Sequence, residues 1–363
     1  MNPIKELAKY GQSVYLDEIS RSMLENGHLA GLIANNGIRG VTSNPAIFEK
    51  AIAQSNDYDG AIKELALAGN NSEQIYETLV IEDIQKTADL FRELYDESQA
   101  KYGYVSLEVS PLLANDADGT IAEARHLWKR LDRPNVFIKV PSTKAGLVAI
   151  EQLISEGINV NVTLIFGLER YKDVARAYTN GLQKRLKDGK SIENVASVAS
   201  FFLSRIDVKL DPIFADKAPE LQGKAAVASS KAAYQIYKDL FGADFKELKA
   251  KGAKAQRLLW ASTGTKNPEY PDLLYVETVI GDNTVNTMPA KTLDAFLDHG
   301  KAADTIEDNM PETNKILKQI ADLGIDMDVI AQELEDEGVA KFVKPFDSLM
   351  ATIETARKAA NDS

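Results

Sequence analysis

Short runs of apolar and β-branched residues recur along the chain, each followed by a longer stretch in which apolar positions return at helical spacing. Val14 to Asp17, Arg39 to Asn44, Val105 to Val109 and Val136 to Val140 are the first of these runs. Val160 to Ile165, Val195 to Phe201, Leu258 to Ser262 and Thr284 to Met288 follow, which makes roughly eight strands, the number that closes a parallel barrel. The helical pattern is clearest after Ser72, where Ile75, Leu79, Ile84, Ala88, Phe91 and Leu94 form one apolar stripe. Further helices are expected after Gly119, Thr143 and Gly167. Strands alternating with helices need crossover connections and a parallel sheet, closed or doubly wound. The strand count favours the closed form.

Beyond Met288 the pattern changes to helix upon helix, with Ile316, Ile320 and Leu323, then Val329, Ile330, Leu334, Phe342 and Leu349. No Ser/Gly-rich linker, low-complexity tract or repeat interrupts it. The pattern predicts an α/β chain: a (β/α)8 TIM barrel with additional C-terminal helices. It forms one domain over 1–363, with 289–363 as its helical portion.

Composition narrows the chemistry. The 363 residues are 44% hydrophobic and 26% charged, within the ordinary globular range. There is no cysteine, which excludes disulfides, thiolate nucleophiles and thiolate-bound metal. The three histidines, His28, His126 and His299, have no metal-ligand spacing, so no metal is expected. No run is long and apolar enough for a membrane span, and the first residues lack the apolar core of a signal peptide, so a cytoplasmic location is expected. A net charge of −12 argues against nucleic-acid or anionic-membrane partners. It leaves room for a small anion held by a few focused cations.

The strongest chemical signal is Phe137-Ile138-Lys139-Val140-Pro141, a lysine inside an apolar strand. Burial favours the neutral amine, the nucleophile that attacks a ketone to form an imine. A lysine facing solvent or paired with an acid explains the pattern equally well. Other strands carry similar polar interruptions: Asp17, Asn44, Glu108, Asn161 and Thr163. Each has a structural explanation, as a cap, a turn or a backbone partner, yet barrel enzymes draw catalytic groups from several strand ends. Ser200 and Arg205 after the sixth strand, with Ser262 and Lys266 after the seventh, form a candidate phosphate site. Asp207 and Asp211 are alternative ion-pair partners for Arg205. No G-x-G fingerprint occurs, and Asn115-Asp116-Ala117-Asp118-Gly119 reads as a helix-entry turn rather than a calcium loop.

Gly40-Val41-Thr42-Ser43-Asn44-Pro45 and Phe137-Ile138-Lys139-Val140-Pro141-Ser142-Thr143 resemble motifs of the transaldolase family. The similarity extends to Ser106 to Pro111, Asn161 to Phe166 and Ser200 to Asp207. The resemblance implies a class I aldolase-type barrel of the pentose phosphate pathway that needs no cofactor. It implies that Lys139 forms a Schiff base with sedoheptulose 7-phosphate or fructose 6-phosphate. A dihydroxyacetone unit then passes to glyceraldehyde 3-phosphate or erythrose 4-phosphate. It further implies Asp17 as base for the C4 hydroxyl, Glu108 and Thr163 as proton and water handlers, and Asn44 and Asn161 as holders of the substrate hydroxyls. Ser200, Phe202 and Arg205 also match positions the family uses. Shorter family members carry Ser-x-Arg after the seventh strand, where this chain has Ser262-Thr263-Gly264-Thr265-Lys266, so Lys266 is expected in place of that arginine. An aldolase that releases the three-carbon unit and a catalytically silent sugar-phosphate-binding barrel are the alternatives. A monomer and a homodimer are both compatible with the sequence.

Overall fold

A computed structural model describes residues 2–361. Eight parallel strands close into a barrel in sequence order. They are β1 Ser13–Leu16, β2 Gly40–Val41, β3 Tyr104–Glu108, β4 Val136–Pro141, β5 Val160–Ile165, β6 Ser197–Phe202, β7 Arg257–Ala261 and β8 Val285–Met288. Every strand residue is buried, because the barrel interior takes one face and the helical ring takes the other.

Strand boundaries depart from the sequence reading where polar side chains begin to serve the loops. β1 stops at Leu16, although the N–H of Asp17 still bonds Met288 O at 2.8 Å. β2 is only two residues long, since Asn44 accepts bonds from the N–H groups of Ala46 and Ile47 and caps the helix Pro45–Phe48. β7 ends before Ser262, whose φ of 56° turns the chain out of the sheet.

The expected helices start at local caps. Asn71 and Gln74 form a capping box for Ser72–Leu90, and Thr143 caps Lys144–Glu156. Asp116 accepts from Gly119 N and starts Ala117–Leu131, three residues earlier than expected. Leu168–Lys187 follows Gly167. The stripe after Ser72 is broken at Phe91, so Leu94 belongs to the separate helix Arg92–Glu97. Among the described residues, no helix is long and apolar enough to cross a membrane.

After β8 come helices Ala290–His299, Met310–Asp322 and Met327–Asn361. The last packs across Pro45–Phe48, Asp59–Leu67 and Ser72–Leu90 and reaches β5. Its close approach depends on Gly338, where a Cβ would lie 2.9 Å from Leu164 Cδ2. Leu164 sits in a register shift of β5 with φ of 61°. The ladder is irregular there, and one turn beyond Gly338 the helix carries Phe342 over the barrel mouth.

Candidate active site

Strand register places Glu108, Lys139 and Asn161 side by side on β3, β4 and β5. Side chains alternate along a strand, so this row shares one face, the barrel interior. The Lys139 and Glu108 side chains are only 5% and 4% exposed, and their Nζ and Oε2 atoms lie 3.1 Å apart. The contact is off the hydrogen-bond direction, leaving Oε2 without a hydrogen bond. Lys139 Nζ instead donates to Ser43 O at 3.1 Å, and the Phe342 ring centre lies 5.5 Å away. Burial raises the Glu108 pKa, opposed by the charge of Lys139. One nitrogen, one carboxylate and one ring face are thus confined in a region of low dielectric.

Asp17, at the end of β1, approaches Lys139 from the opposite side of the barrel. Thr42 donates to Asp17 Oδ1 at 2.6 Å, and Thr287 meets the same Thr42 hydroxyl at 2.6 Å. Because Thr42 has a single proton to give, Thr287 donates to it. Burial is the largest influence on Asp17 and raises its pKa, with Lys139 and the Thr42 hydroxyl pulling the other way. A carboxylate so placed can take up a proton without a large structural change.

The outer wall is cationic. Arg205 lies over the rings of Phe202 and Phe342, at 5.2 and 5.9 Å. It makes no hydrogen bond among the described residues, and its buried Nη1 is unpaired. Burial lowers its pKa, partly offset by Glu108 and Asp17. The alternative partners are engaged elsewhere: Asp207 accepts from Ala226 N and Tyr275 Oη, and Asp211 from Gly223 N and Tyr270 Oη. Ser262 shares a hydroxyl contact of 2.8 Å with Ser204, and exposed Lys266 stands at the rim without an ion-pair partner among the described residues. A guanidinium with free donors beside hydroxyls and an ammonium suits a phosphate.

These groups surround a cavity of about 190 Å³. Asp17, Asn44, Lys139, Thr163, Ser200, Phe202, Arg205, Ser262 and Lys266 all line it, so most residues singled out in the sequence meet in one place. The Oδ1 of Asn44 is committed to its cap, leaving Nδ2 free to face the cavity, and Thr163 Oγ1 is buried and unpaired. Glu108 and Asn161 stand behind the wall. Asn161 donates to Ser106 Oγ at 3.0 Å and accepts from Ser200 Oγ at 2.7 Å, so both ends of its amide serve neighbouring strands. Thr42, Thr287 and Phe342 also line the cavity and were not singled out as site residues. Thr42 has a sequence signal, two positions before Asn44 in the run Arg39 to Asn44. Phe342 has none, because it arrives on a distant helix whose apolar stripe reads as core.

Comparison with known proteins agrees with this geometry. The family model described as Transaldolase/Fructose-6-phosphate aldolase matches residues 14–353. "Transaldolase 2" of Nostoc sp. (strain PCC 7120) is 45% identical over 370 residues, covering 98% of this chain and 97% of that protein. "Transaldolase" of Thiobacillus denitrificans is 46% identical, covering 97% and 100%, and that of Mycolicibacterium smegmatis is 45% identical, covering 99% of each.

Proposed function

The chain belongs to the transaldolase/fructose-6-phosphate aldolase family, and from that premise we propose a transaldolase in which Lys139 carries the three-carbon unit as a Schiff base. The observation that carries the reading is the buried contact of Lys139 with Glu108 at the floor of a cavity whose outer wall holds an unpaired arginine. An acid, an amine and an anion site in that order match a ketose phosphate bound carbonyl inward.

Attack needs the free amine, and Glu108 at 3.1 Å is placed to take its third proton. Nζ adds to C2 of fructose 6-phosphate or sedoheptulose 7-phosphate, and the carbinolamine loses water to leave an iminium. Asp17 takes the C4 hydroxyl proton, the C3–C4 bond breaks, and its electrons move into the iminium to give an enamine. The aldose phosphate departs. Glyceraldehyde 3-phosphate or erythrose 4-phosphate then enters and the steps reverse. Thr163, with its hydroxyl unpaired, orients the water of imine formation and hydrolysis. Asn44 offers Nδ2 to a hydroxyl of the three-carbon unit. Asn161 acts through Ser200, which it holds at the cavity wall.

Arg205, Ser262 and Lys266 hold the phosphate. Lysine supplies the electron sink, so the reaction as written requires no metal or organic cofactor. The helical portion from 289 on belongs to the same unit as the barrel in this reading, since Phe342 completes the cavity. We place the enzyme in the cytoplasm, acting on sugar phosphates and not on nucleic acid or membrane. A coupled assay with fructose 6-phosphate and erythrose 4-phosphate tests the function. Formation of sedoheptulose 7-phosphate supports transfer, release of free dihydroxyacetone selects an aldolase, and no conversion removes both.

A further inference from the structure

Glu108 and Lys139 touch, yet they open onto different cavities. Lys139 lines the substrate cavity and Glu108 does not. Glu108 lines a second cavity of about 420 Å³, and Lys139 does not. Their contact is the partition between the two.

The second cavity lies between the helices Ser72–Leu90, Ala117–Leu131 and Met327–Asn361. Its rim includes exposed Glu73 and Leu112, so it reaches the surface by its own path. One helix roofs both spaces, with Phe342 over the first and Phe346, one turn later, over the second. Pro345 stands between them, where it removes a helical N–H.

The wall of the second cavity continues the polar line that begins at Glu108. Tyr76 is held edge-on by Phe48 and Phe346, with ring centres at 6.4 and 5.5 Å. Burial, then the charges of Glu123 and Glu108, push its pKa up, so it stays a hydroxyl beside a cavity that both carboxyl groups also line. Glu123 accepts from Ser110 N at 3.0 Å, and burial raises its pKa too. Beyond it, Glu77 at the rim pairs with Arg130 and His126.

We propose that this second cavity is the water entrance for the imine chemistry, separate from the mouth through which sugar phosphates pass. The proposal rests on Lys139 and Glu108 acting as described above. On condensation the C2–N bond forms and the C2–O bond breaks with its electron pair on oxygen. That oxygen leaves as water carrying one proton from the amine and one from the Glu108 carboxyl, and hydrolysis returns both. A ketose phosphate reaching from Lys139 to Arg205 occupies the cavity of about 190 Å³ on the other side of this partition. The side of Glu108 facing the second cavity is then the free route for that water, which carries both protons out past Tyr76 and Glu123 and returns the same way on hydrolysis.

Label uptake at C2 of fructose 6-phosphate from ¹⁸O-water reads this traffic directly. Met350→Trp fills the second cavity away from Lys139, Val80→Phe fills it from another wall, and Met350→Leu leaves it open. Filling it is expected to slow enzyme-dependent label uptake and kcat by about 10-fold, less than the roughly 10²-fold or more of losing the acid itself. KM for fructose 6-phosphate stays unchanged, and Met350→Leu behaves as the parent. Tyr76→Phe keeps the ring contacts and is expected to slow uptake with normal KM. Parental label uptake in folded Met350→Trp or Val80→Phe overturns the proposal, as does an equal loss in Met350→Leu. If the parent enzyme takes up no label, the Schiff-base reading fails first and the entrance falls with it.

Discussion

An arginine stands at each end of the barrel, and the two are held in opposite ways. Arg257, at the N-terminal end, donates to Ser13 Oγ, Tyr15 Oη and Lys101 O. Arg205, at the C-terminal end, donates to nothing among the described residues. Their neighbours repeat the contrast. Asn135 donates to the carbonyls of Ala88 and Gly103, and Asn159 to those of Pro134 and Val136 while accepting from Ala196 N. Unpaired atoms occur at that end too: the oxygens of Gln12, Asn135 and Gln256, whose side chains still tie strands together as donors, and Arg39 Nη1, whose guanidinium lies 3.9 Å over the Tyr102 ring. At the other end Glu108 Oε2, Thr163 Oγ1 and Arg205 Nη1 have no hydrogen bond at all. Unsatisfied buried groups cost stability, so such a concentration marks where a ligand completes the set. Polarity inside the barrel does not locate the site; unengaged groups gathered around Lys139 and its cavity do.

Substitutions at the two ends sharpen that contrast. The largest effect is expected from Asp17→Asn, which removes the base for the C4 hydroxyl while keeping shape. Turnover should fall roughly 10²- to 10⁴-fold while the donor ketose still condenses with Lys139. Near-normal kcat would make Asp17 only a partner for Thr42. Arg205→Ala comes next. Loss of a charge-assisted contact worth roughly 1.5 to 3 kcal/mol predicts about a 10- to 100-fold drop in kcat/KM for phosphorylated substrates. Glyceraldehyde as acceptor in place of glyceraldehyde 3-phosphate should show no such drop, and equal losses on both would assign Arg205 to the fold.

At the N-terminal end the expectation reverses. Arg257→Met should destabilise the protein by about 1 to 3 kcal/mol in a denaturant titration. The kcat of the folded fraction should stay within about twofold, because that face of a barrel serves stability. A selective catalytic loss would blur the distinction between the ends. The smallest effect concerns Asp207, a buried carboxyl outside the cavity whose pKa burial raises from 3.8 to about 7, against the pull of the Ala226 and Tyr275 donors. A folded-state pKa above the unfolded one means the folded protein holds the extra proton. Its stabilisation is present below about pH 3.8 and is lost as pH rises through about 7. The Tm advantage of the parent over Asp207→Asn should therefore shrink between those values in a thermal melting series. An advantage independent of pH would show that Asp207 does not titrate there.

Much of this is legible in the sequence, for identifiable reasons. A strand has a period of two, so Glu108, Lys139 and Asn161 can each be placed on a buried row without knowing which strands adjoin. Asp116, Thr143 and Asn71 announce helix starts through chemistry local to a few residues. Legibility ends where a contact joins distant segments. Whether Arg205 pairs with Asp207 depends on Tyr275 and Ala226, which occupy that carboxylate first. Asn161 is legible as a polar break in a buried strand, but its bridge from Ser106 to Ser200 is not. Phe342 reads as core because nothing near it in the chain reports that its helix crosses the barrel mouth.

Lys139 joins the two halves of the comparison, being buried like a structural residue and available like a reactive one. Borohydride reduction in the presence of fructose 6-phosphate, followed by mass mapping of peptides, tests its role most directly. A three-carbon adduct on Lys139, absent without sugar and absent in Lys139→Met, is the result expected. An adduct on another lysine, or full turnover with no adduct on Lys139, would contradict the account.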